Sequence, residues 1–272
     1  MRLALTGATG FVGRFILAEA QAAGDAVTAL TRRAPEGVDH RPYDLAGPPP
    51  DLSGFDALIH CGFAHVAGRY RGGEGDDPQG FAARNLDGSV ALFEVAVRAG
   101  ARVVFISSRA VYDGLGGVLR EDMDCAPTSL YGQVKLAAER ALPRDAMILR
   151  ATGVYGAGAG HKWEPLFRDF ADGRRVAPRA GTELHGADLA AAVRLGLRGA
   201  AGVFNASDLM LDRRDLLTEW AAIAEQGGPL PDRAETLPAE MDCSRLRALG
   251  WRPGGVARLR ETLREMADLR AG

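Results

Sequence analysis

Short apolar runs alternate with amphipathic segments along the first half of the chain. The apolar runs occupy residues 3–5, 26–31, 56–61, 102–107 and 145–150. Helical spacing of apolar residues predicts intervening helices from Phe11 to near Gly24, from about Phe81 to Arg98 and from about Leu130 to Leu142. Strands that alternate with helices in this way predict an α/β fold with a parallel, doubly wound (Rossmann-type) sheet.

Apolar residues at helical spacing also predict which helix faces are buried. In the second helix the stripe is Leu86, Val90, Phe93 and Val97, and Gly100 ends the helix. Two stripes near the C-terminus are Leu216, Leu217, Trp220 and Ile223, then Leu259, Leu263, Met266 and Leu269. They predict a small, mainly helical C-terminal cap that closes a cleft, although ordinary core would give the same pattern.

Composition narrows the classes of partner. The formal net charge is −2 and the arginines are spread along the chain, which argues against nucleic acid. The N-terminus runs directly into the first strand and no apolar stretch approaches the roughly 20 residues of a bilayer span, so we expect a cytoplasmic protein without a membrane partner. Cys61, Cys125 and Cys243 lack metal-ligand spacing and the five histidines are scattered, so we expect reduced thiols and no metal. A metal-dependent hydrolase is set aside on the same ground.

Three glycines separate the first strand from the first helix. Gly7 would permit a tight turn, Gly10 the close approach of a ligand, and Gly13 the packing of helix on strand. Such a turn directs the helix dipole and the first backbone N–H groups, including those of Phe11 and Val12, at one point, which favours a pyrophosphate. The spacing is G-x-x-G-x-x-G rather than G-x-G-x-x-G, so a glycine turn without a ligand is the alternative.

Ligands of open parallel sheets bind beyond the carboxyl ends of the strands. Gly7, Arg32, Gly62, Ser108 and Ala151 all stand at such predicted ends. Their convergence strengthens the interpretation of the glycine turn. We therefore predict a dinucleotide-binding domain over residues 1–153, to which 186–207 return, and a small substrate-binding cap over 154–185 and 208–272.

The end of the second strand bears on the choice of cofactor. An acidic residue about 20 positions past the glycine turn suits the ribose of NAD, whereas arginine suits the 2′-phosphate of NADP. Arg32 and Arg33 occupy this position. We expect NAD(P) as the cofactor, with NADP favoured over NAD; two solvated arginines at a strand end are the alternative.

Two further features follow the third apolar run. His60 lies inside an apolar strand end, where a packed, hydrogen-bonded histidine is expected more often than a catalytic base. Residues 64–80 are rich in glycine and charge. A long loop of this kind predicts a lid, a binding loop or a disordered segment, and we expect it to be mobile when the site is empty.

Candidate acid/base chemistry lies on the third helix. Tyr131 and Lys135 are four residues apart and therefore neighbours on one helix face. A tyrosine has a pKa near 10, and an adjacent ammonium favours its phenolate, so the pair would make a proton acceptor. The alternative is a chance pair, since many helices carry tyrosine and lysine at this spacing. Ser107 and Ser108 end the preceding strand, where a hydroxyl would hold a substrate oxygen or simply cap the strand.

Four segments together carry a family resemblance. TGATGFVG at 6–13, SSRAVYD at 107–113, YGQVK at 131–135 and LRATGVYG at 149–156 resemble the extended short-chain dehydrogenase/reductases, the NAD(P)-dependent epimerase/dehydratase family. The resemblance covers about the first 155 residues in order. Weaker similarity continues near Asp188, near Asn205 and at 249–253.

The resemblance implies a role for each matching residue. Tyr131 would be the acid/base, Lys135 would bind the nicotinamide ribose and tune the tyrosine, and Ser108 would polarise the substrate oxygen. Asn85 would support the proton relay. Asp44 and Leu45 would flank the adenine, and Cys61 and Gly62 would line the cofactor. Relatives often pair through the helices that start near Phe81 and Leu130, which implies a homodimer.

Departures from the family pattern concern the substrate. Members that act on nucleotide sugars usually carry asparagine where this chain has Gly153, and only about 65 residues follow Asn205. A smaller polar hydroxy or keto compound, such as a free sugar or sugar acid, is therefore expected. Candidate substrate contacts are Arg69, Tyr70, His161, Lys162 and His185. The alternative for each of them is an ordinary surface residue.

Several activities remain open from the sequence. The leading expectation is hydride transfer, with either net oxidation or reduction, or epimerisation that returns the hydride. A nucleotide-sugar epimerase or dehydratase is an alternative, and so is a non-catalytic NAD(P)-binding sensor or scaffold. The presence of Ser108, Tyr131, Lys135 and Asn85 argues against a pure binder, which needs no acid/base pair.

Overall fold

The computed structural model describes residues 1–66 and 73–271. In chain order the strands are β1 (Arg2–Thr6), β2 (Ala26–Thr31), β3 (Asp39–Pro42), β4 (Ala57–His60), β5 (Arg102–Ser108), β6 (Met147–Ala151), β7 (Gly153–Tyr155), β8 (Ala180–His185), β9 (Gly202–Ala206) and β10 (Leu209–Asp212). The α-helices are α1 (Phe11–Ala22), α2 (Pro78–Ala82), α3 (Gly88–Arg98), α4 (Leu130–Arg140), α5 (Glu164–Ala171), α6 (Gly186–Leu197), α7 (Arg213–Ala224), α8 (Ser244–Ala248) and α9 (Gly255–Ala271). A π-helical turn, Ala83–Asp87, joins α2 to α3.

A seven-stranded sheet organises the described part of the chain. Its order is β3-β2-β1-β4-β5-β6-β9 and every neighbouring pair is parallel. Helices cover both faces: Ile16 of α1 and Leu189 of α6 belong to the core on one face, and Phe93 of α3 and Ala138 of α4 to the core on the other. The doubly wound α/β fold is thus confirmed. Strand order reverses between β1 and β4, where such sheets bind ligands.

The described residues also form a smaller, three-stranded sheet. β8 pairs in parallel with β7 and antiparallel with β10. Helices α5, α7 and α9 pack beside it around a separate apolar core that includes Phe167, Trp220 and Leu263. The helical C-terminal region agrees with the sequence, whereas the small sheet was not predicted. The proposed domain boundary at residue 153 stays a prediction.

Two predicted apolar stripes need correction. On α3 the buried side chains are Ser89, Leu92, Phe93 and Ala96, one position before most of the predicted stripe, and Val97 is 51% exposed. Small residues at 89 and 96 let the helix approach β4 and β5 closely, so they face the sheet in place of the larger valines. Leu269, in the last turns of α9, is 61% exposed rather than buried.

Within the described ranges, no helix combines the length and the apolar character that a membrane crossing requires.

Candidate active site

The glycine turn between β1 and α1 is closely packed against the end of β4. Gly7 has φ +70°, and a Cβ there would lie 2.8 Å from the backbone nitrogen of Gly62. A Cβ on Gly13 would overlap the carbonyl oxygen of Gly7. Gly10 donates its N–H to that same carbonyl at 2.9 Å. The turn therefore needs glycine at 7 for conformation and contact, and at 13 because helix and turn touch.

The N-terminus of α1 is suited to an anion. Gly10 is the N-cap and provides no side-chain cap, and the first turn contains no acidic residue. The positive end of the helix dipole and the first N–H groups, which include those of Phe11 and Val12, are thus directed at the mouth of the turn. These residues fit the pyrophosphate of a dinucleotide.

A chain of hydrogen bonds runs under the turn. Gly62 N–H donates to Thr6 Oγ1 at 3.0 Å, and Thr6 Oγ1 lies 2.7 Å from His60 Nδ1. His60 Nε2 lies 2.9 Å from Ser89 Oγ, and the Ser89 hydroxyl donates to the carbonyl oxygen of Asn85. Because the Ser89 proton is used there, His60 must donate from Nε2 and accept at Nδ1 from Thr6.

His60 is therefore a buried structural residue, as expected. It is 0% exposed, and burial, together with the nearby Lys135 ammonium, lowers its pKa to about 3. The ring stays neutral and connects β1, β4 and α3. It has no free nitrogen for catalysis.

Asn85 fixes the segment that follows β4. Its Oδ1 accepts from Ala64 N–H at 2.7 Å, and its Nδ2 donates to the carbonyls of Ala64 at 2.8 Å and Phe81 at 3.0 Å. It lies in the π-helical turn, a distortion often found at functional sites. Asn85 thus holds the backbone immediately after Phe63.

Phe63 brings the candidate catalytic pair together. The Lys135 ammonium, on α4, lies 4.5 Å from the centre of the Phe63 ring, and the Tyr131 ring meets the same ring edge-on at 5.0 Å. Lys135 also donates to the Ile106 carbonyl at 2.9 Å and is only 4% exposed. Burial lowers the pKa of Lys135 to about 8, and the nearby Glu139 carboxylate opposes that effect.

Ser108 ends β5 on the same edge of the sheet. It pairs across the sheet with Ala151 of β6, and its Oγ accepts from Ala110 N–H at 3.1 Å. A hydroxyl that accepts one bond keeps its own proton to donate, so capping and substrate binding are compatible. Ser107 is different: it is buried and its hydroxyl donates to Glu139, so it is not available to a substrate.

The part of the cofactor site that is predicted to bind the adenosine lies beyond β2. Arg32 is exposed and its Nε lies 3.7 Å from a carboxylate oxygen of Asp44. Asp44 Oδ1 also accepts from Ala46 N–H at 2.9 Å. Leu45 packs against the first residue of α3, and Arg33 is exposed. Cys61 donates from Sγ to the Thr6 carbonyl at 2.8 Å, and burial raises its pKa to about 12, so it remains a thiol.

Candidate substrate contacts fall into three groups. His185 is a buried N-cap that accepts from Ala187 N–H at 3.2 Å, and burial lowers its pKa to about 4, so it belongs to the core. Lys162 forms an ion pair with Glu183, and a Cβ on Gly153 would lie 2.8 Å from the Lys162 ammonium. Burial lowers the pKa of His161, whose ring lies 6.0 Å from Phe167. Arg69 and Tyr70, within the predicted lid, lie outside the described residues.

Sequence reasoning missed a buried polar network behind the site. Arg150 Nη2 pairs with Glu139 at 2.7 Å, and Arg150 Nη1 donates to the Tyr112 hydroxyl at 2.9 Å. Tyr112 then donates to Asn205 Oδ1 at 2.7 Å. An arginine inside the apolar run 145–150 was the available signal, because a buried charge requires a partner.

Fold and site together define a dinucleotide-binding α/β protein with a tyrosine and a lysine beside the strand ends. The model of the NAD dependent epimerase/dehydratase family matches residues 3–202. The chain belongs to this family, as the sequence segments predicted.

Individual relatives share about 30% of their residues with this chain over part of its length. The chain is 28% identical over 204 residues to dTDP-4-dehydrorhamnose reductase of Mycolicibacterium smegmatis, which covers 71% of this chain and 59% of that protein. It is 31% identical over 170 residues to methionine adenosyltransferase 2 subunit beta of Bos taurus, covering 57% and 47%. Among solved structures, MoeE5 in complex with UDP-glucose and NAD superposes with a TM-score of 0.78 at 26% identity, covering 100% of this chain and 99% of that one.

Proposed function

We propose that the protein is an NAD(P)-dependent oxidoreductase or epimerase that acts on a secondary alcohol or ketone of a sugar-like polar substrate. The observation that carries this proposal is the contact of Phe63 with both Lys135 and Tyr131. Phe63 directly follows Gly62, which packs on the glycine turn. Phosphate-binding backbone and an acid/base pair thus occupy one edge of the sheet. The bound nicotinamide would supply the hydride acceptor or donor.

The residues of the chain would handle the proton and the oxygen. Ser108 would donate to the substrate oxygen, and Tyr131 would take the hydroxyl proton during oxidation and return one during reduction. The Lys135 ammonium would favour the tyrosinate form and donate to the ribose hydroxyls of the cofactor. Phe63 and Asn85 would keep this lysine and tyrosine in place.

The cofactor and substrate are proposed from neighbouring side chains. Arg32 and Arg33, both exposed at the end of β2, support NADP over NAD. The Lys162–Glu183 pair covers Gly153, the position where asparagine is usual in nucleotide-sugar enzymes, and this supports a smaller polar substrate. A relative named as a sugar reductase supports the same reaction type.

A second candidate is an NAD(P)-binding subunit of another enzyme. The similarity to a protein named as a subunit beta favours it. The two candidates differ in whether Tyr131 is needed for turnover, because a binding subunit has no use for an acid/base.

The test is Tyr131→Phe, with turnover followed by the absorbance of the reduced cofactor at about 340 nm. Removal of the hydroxyl should lower turnover by about 100-fold or more while the dissociation constant of the cofactor stays within about twofold. The matched control is Tyr155→Phe: the Tyr155 hydroxyl is buried in the cap without a hydrogen-bond partner among the described residues. It should leave turnover unchanged.

Substrates for this assay are sugars, sugar acids and nucleotide sugars with NAD or NADP. Accumulation of reduced cofactor indicates net oxidation, and product formation without it indicates epimerisation. Near wild-type turnover by Tyr131→Phe would refute the assignment. Cofactor binding without turnover of any compound would favour the subunit.

A further inference from the structure

A cavity of about 510 Å³ lies among segments that adjoin the candidate catalytic residues in sequence. Its volume is within the range of small-molecule sites. The described residues that line it come from three segments: 109–115 after β5, 128–129 before α4, and 238–239 from the C-terminal region.

Two residues that line the cavity adjoin the proposed catalytic residues in sequence. Arg109 follows Ser108 directly, and Ser129, the N-cap of α4, comes two residues before Tyr131. A molecule held in this cavity would therefore lie against the two segments that present the serine and the tyrosine. None of the described residues that line it was a candidate in the sequence.

Of the described residues that line the cavity, Arg109 alone is basic. Its Nη2 donates to the Ala239 carbonyl at 3.0 Å, which fixes the guanidinium across the cavity. Asp113 also lines the cavity, but its carboxylate accepts from the Ser129 hydroxyl at 2.6 Å, beside the positive end of α4. The planar fork of arginine suits a carboxylate, which it can bind through two parallel hydrogen bonds.

We propose that this cavity receives the substrate and that Arg109 binds a carboxylate on it. The substrate is then a hydroxy or keto acid of about sugar size. Among the described residues that line the cavity, one guanidinium matches the single negative charge of a carboxylate, whereas a nucleoside diphosphate carries at least two. This inference rests on the proposed function, because it takes Ser108 and Tyr131 as the reacting end of the site.

The first test uses the wild-type protein with saturating NAD or NADP, titrated in a calorimeter. The ligands are D-glucuronate and D-galacturonate, their neutral counterparts D-glucose and D-galactose, and two other anions, D-glucose 6-phosphate and UDP-glucose. An acid should bind at least about 10-fold more tightly than its parent sugar. Equal binding of acid and sugar, or tighter binding of either phosphate compound, overturns the inference.

The second test changes Arg109. Arg109→Gln should weaken binding of the acid by about 10- to 100-fold without changing that of the neutral sugar, and Arg109→Lys should be intermediate because it keeps the charge but loses the fork. The control is Arg144→Gln, an exposed arginine before the amino end of β6, at the opposite edge of the sheet. It removes the same charge and should bind like the wild type.

The outcomes separate this inference from the proposed function. If Tyr131→Phe loses turnover while acids and neutral sugars bind and react alike, the carboxylate site is wrong and the hydride-transfer function stands. If acids bind through Arg109 and no ligand gives turnover, the site stands and the proposed reaction is wrong.

Discussion

Acidification should weaken the fold through His60, the central member of the hydrogen-bond chain under the glycine turn. The ring must remain neutral, because its Nδ1 accepts from Thr6 while Nε2 donates to Ser89. A second proton would place Nδ1–H against the Thr6 hydroxyl proton in a site that is 0% exposed. The chain continues to Gly62 and Asn85, so its disruption would also loosen the cofactor turn.

The magnitude follows from the pKa of His60, which falls from 6.5 to about 3 on folding. Between these two values the unfolded chain binds more protons than the native one, so stability rises with pH and is lost as pH falls below 6.5. The loss is about 1.4 kcal/mol per pH unit. At pH 5 the contribution of this residue should be about 2 kcal/mol smaller than at neutral pH.

The assay is urea denaturation between pH 7.5 and pH 5 for the wild type and His60→Gln. Glutamine offers an acceptor and a donor but does not titrate in this range. The unfolding free energy of His60→Gln should therefore fall by about 2 kcal/mol less than that of the wild type between pH 7.5 and pH 5. His185 and His161 titrate in both proteins and cancel in the difference. His40→Gln, on the edge strand β3, is the control and should follow the wild type. Parallel loss of stability in wild type and His60→Gln would show that burial does not keep this ring neutral.

Two further predictions concern the cofactor. Gly13→Ala places a Cβ on the Gly7 carbonyl. Although alanine has the better helix propensity, this variant should lose about 1–3 kcal/mol of unfolding free energy, measured by thermal unfolding. It should also bind dinucleotide poorly in a fluorescence titration. Gly116→Ala, where a Cβ meets nothing within 4 Å, should remain within about 0.5 kcal/mol, and equal behaviour of the two variants would contradict the steric argument. Alanine at both Arg32 and Arg33 should lower kcat/KM for NADP by about 10-fold or more and leave that for NAD nearly unchanged; an unaltered ratio would mean that the arginines do not bind the 2′-phosphate.

Local features of the fold could be predicted from the sequence. The strand, the three glycines and the start of α1 lie within 13 consecutive residues, and each constraint acts on its near neighbours. The strands β3, β7 and β10 escaped because each has only three or four residues, too few to show the alternation that marks a strand.

Side-chain partners across the sheet could be predicted only in part. Because side chains alternate along a strand, Ser107 and Ser108 had to face opposite sides, so one of them was never available to a substrate. Which one was buried depended on Glu139, 32 residues away. In the same way, no sequence pattern indicated that Phe63 would lie on Lys135, since their contact depends on how α4 packs against β5 and the π-helical turn.

The C-terminal wall of the cavity depends on the buried network as much as on its own residues. Asn205 Nδ2 donates to the Asp242 carbonyl at 3.1 Å, its Oδ1 accepts from Tyr112, and Arg150 in turn supports Tyr112. The segment that includes Ala239 is thereby tied to the same sheet that presents Ser108. Loss of one partner would leave buried polar groups unpaired, and each of them would destabilise the fold by about 1–3 kcal/mol. It would also move the Ala239 carbonyl that holds Arg109. If Arg109 binds the substrate carboxylate, stability and substrate selection are therefore coupled through this network.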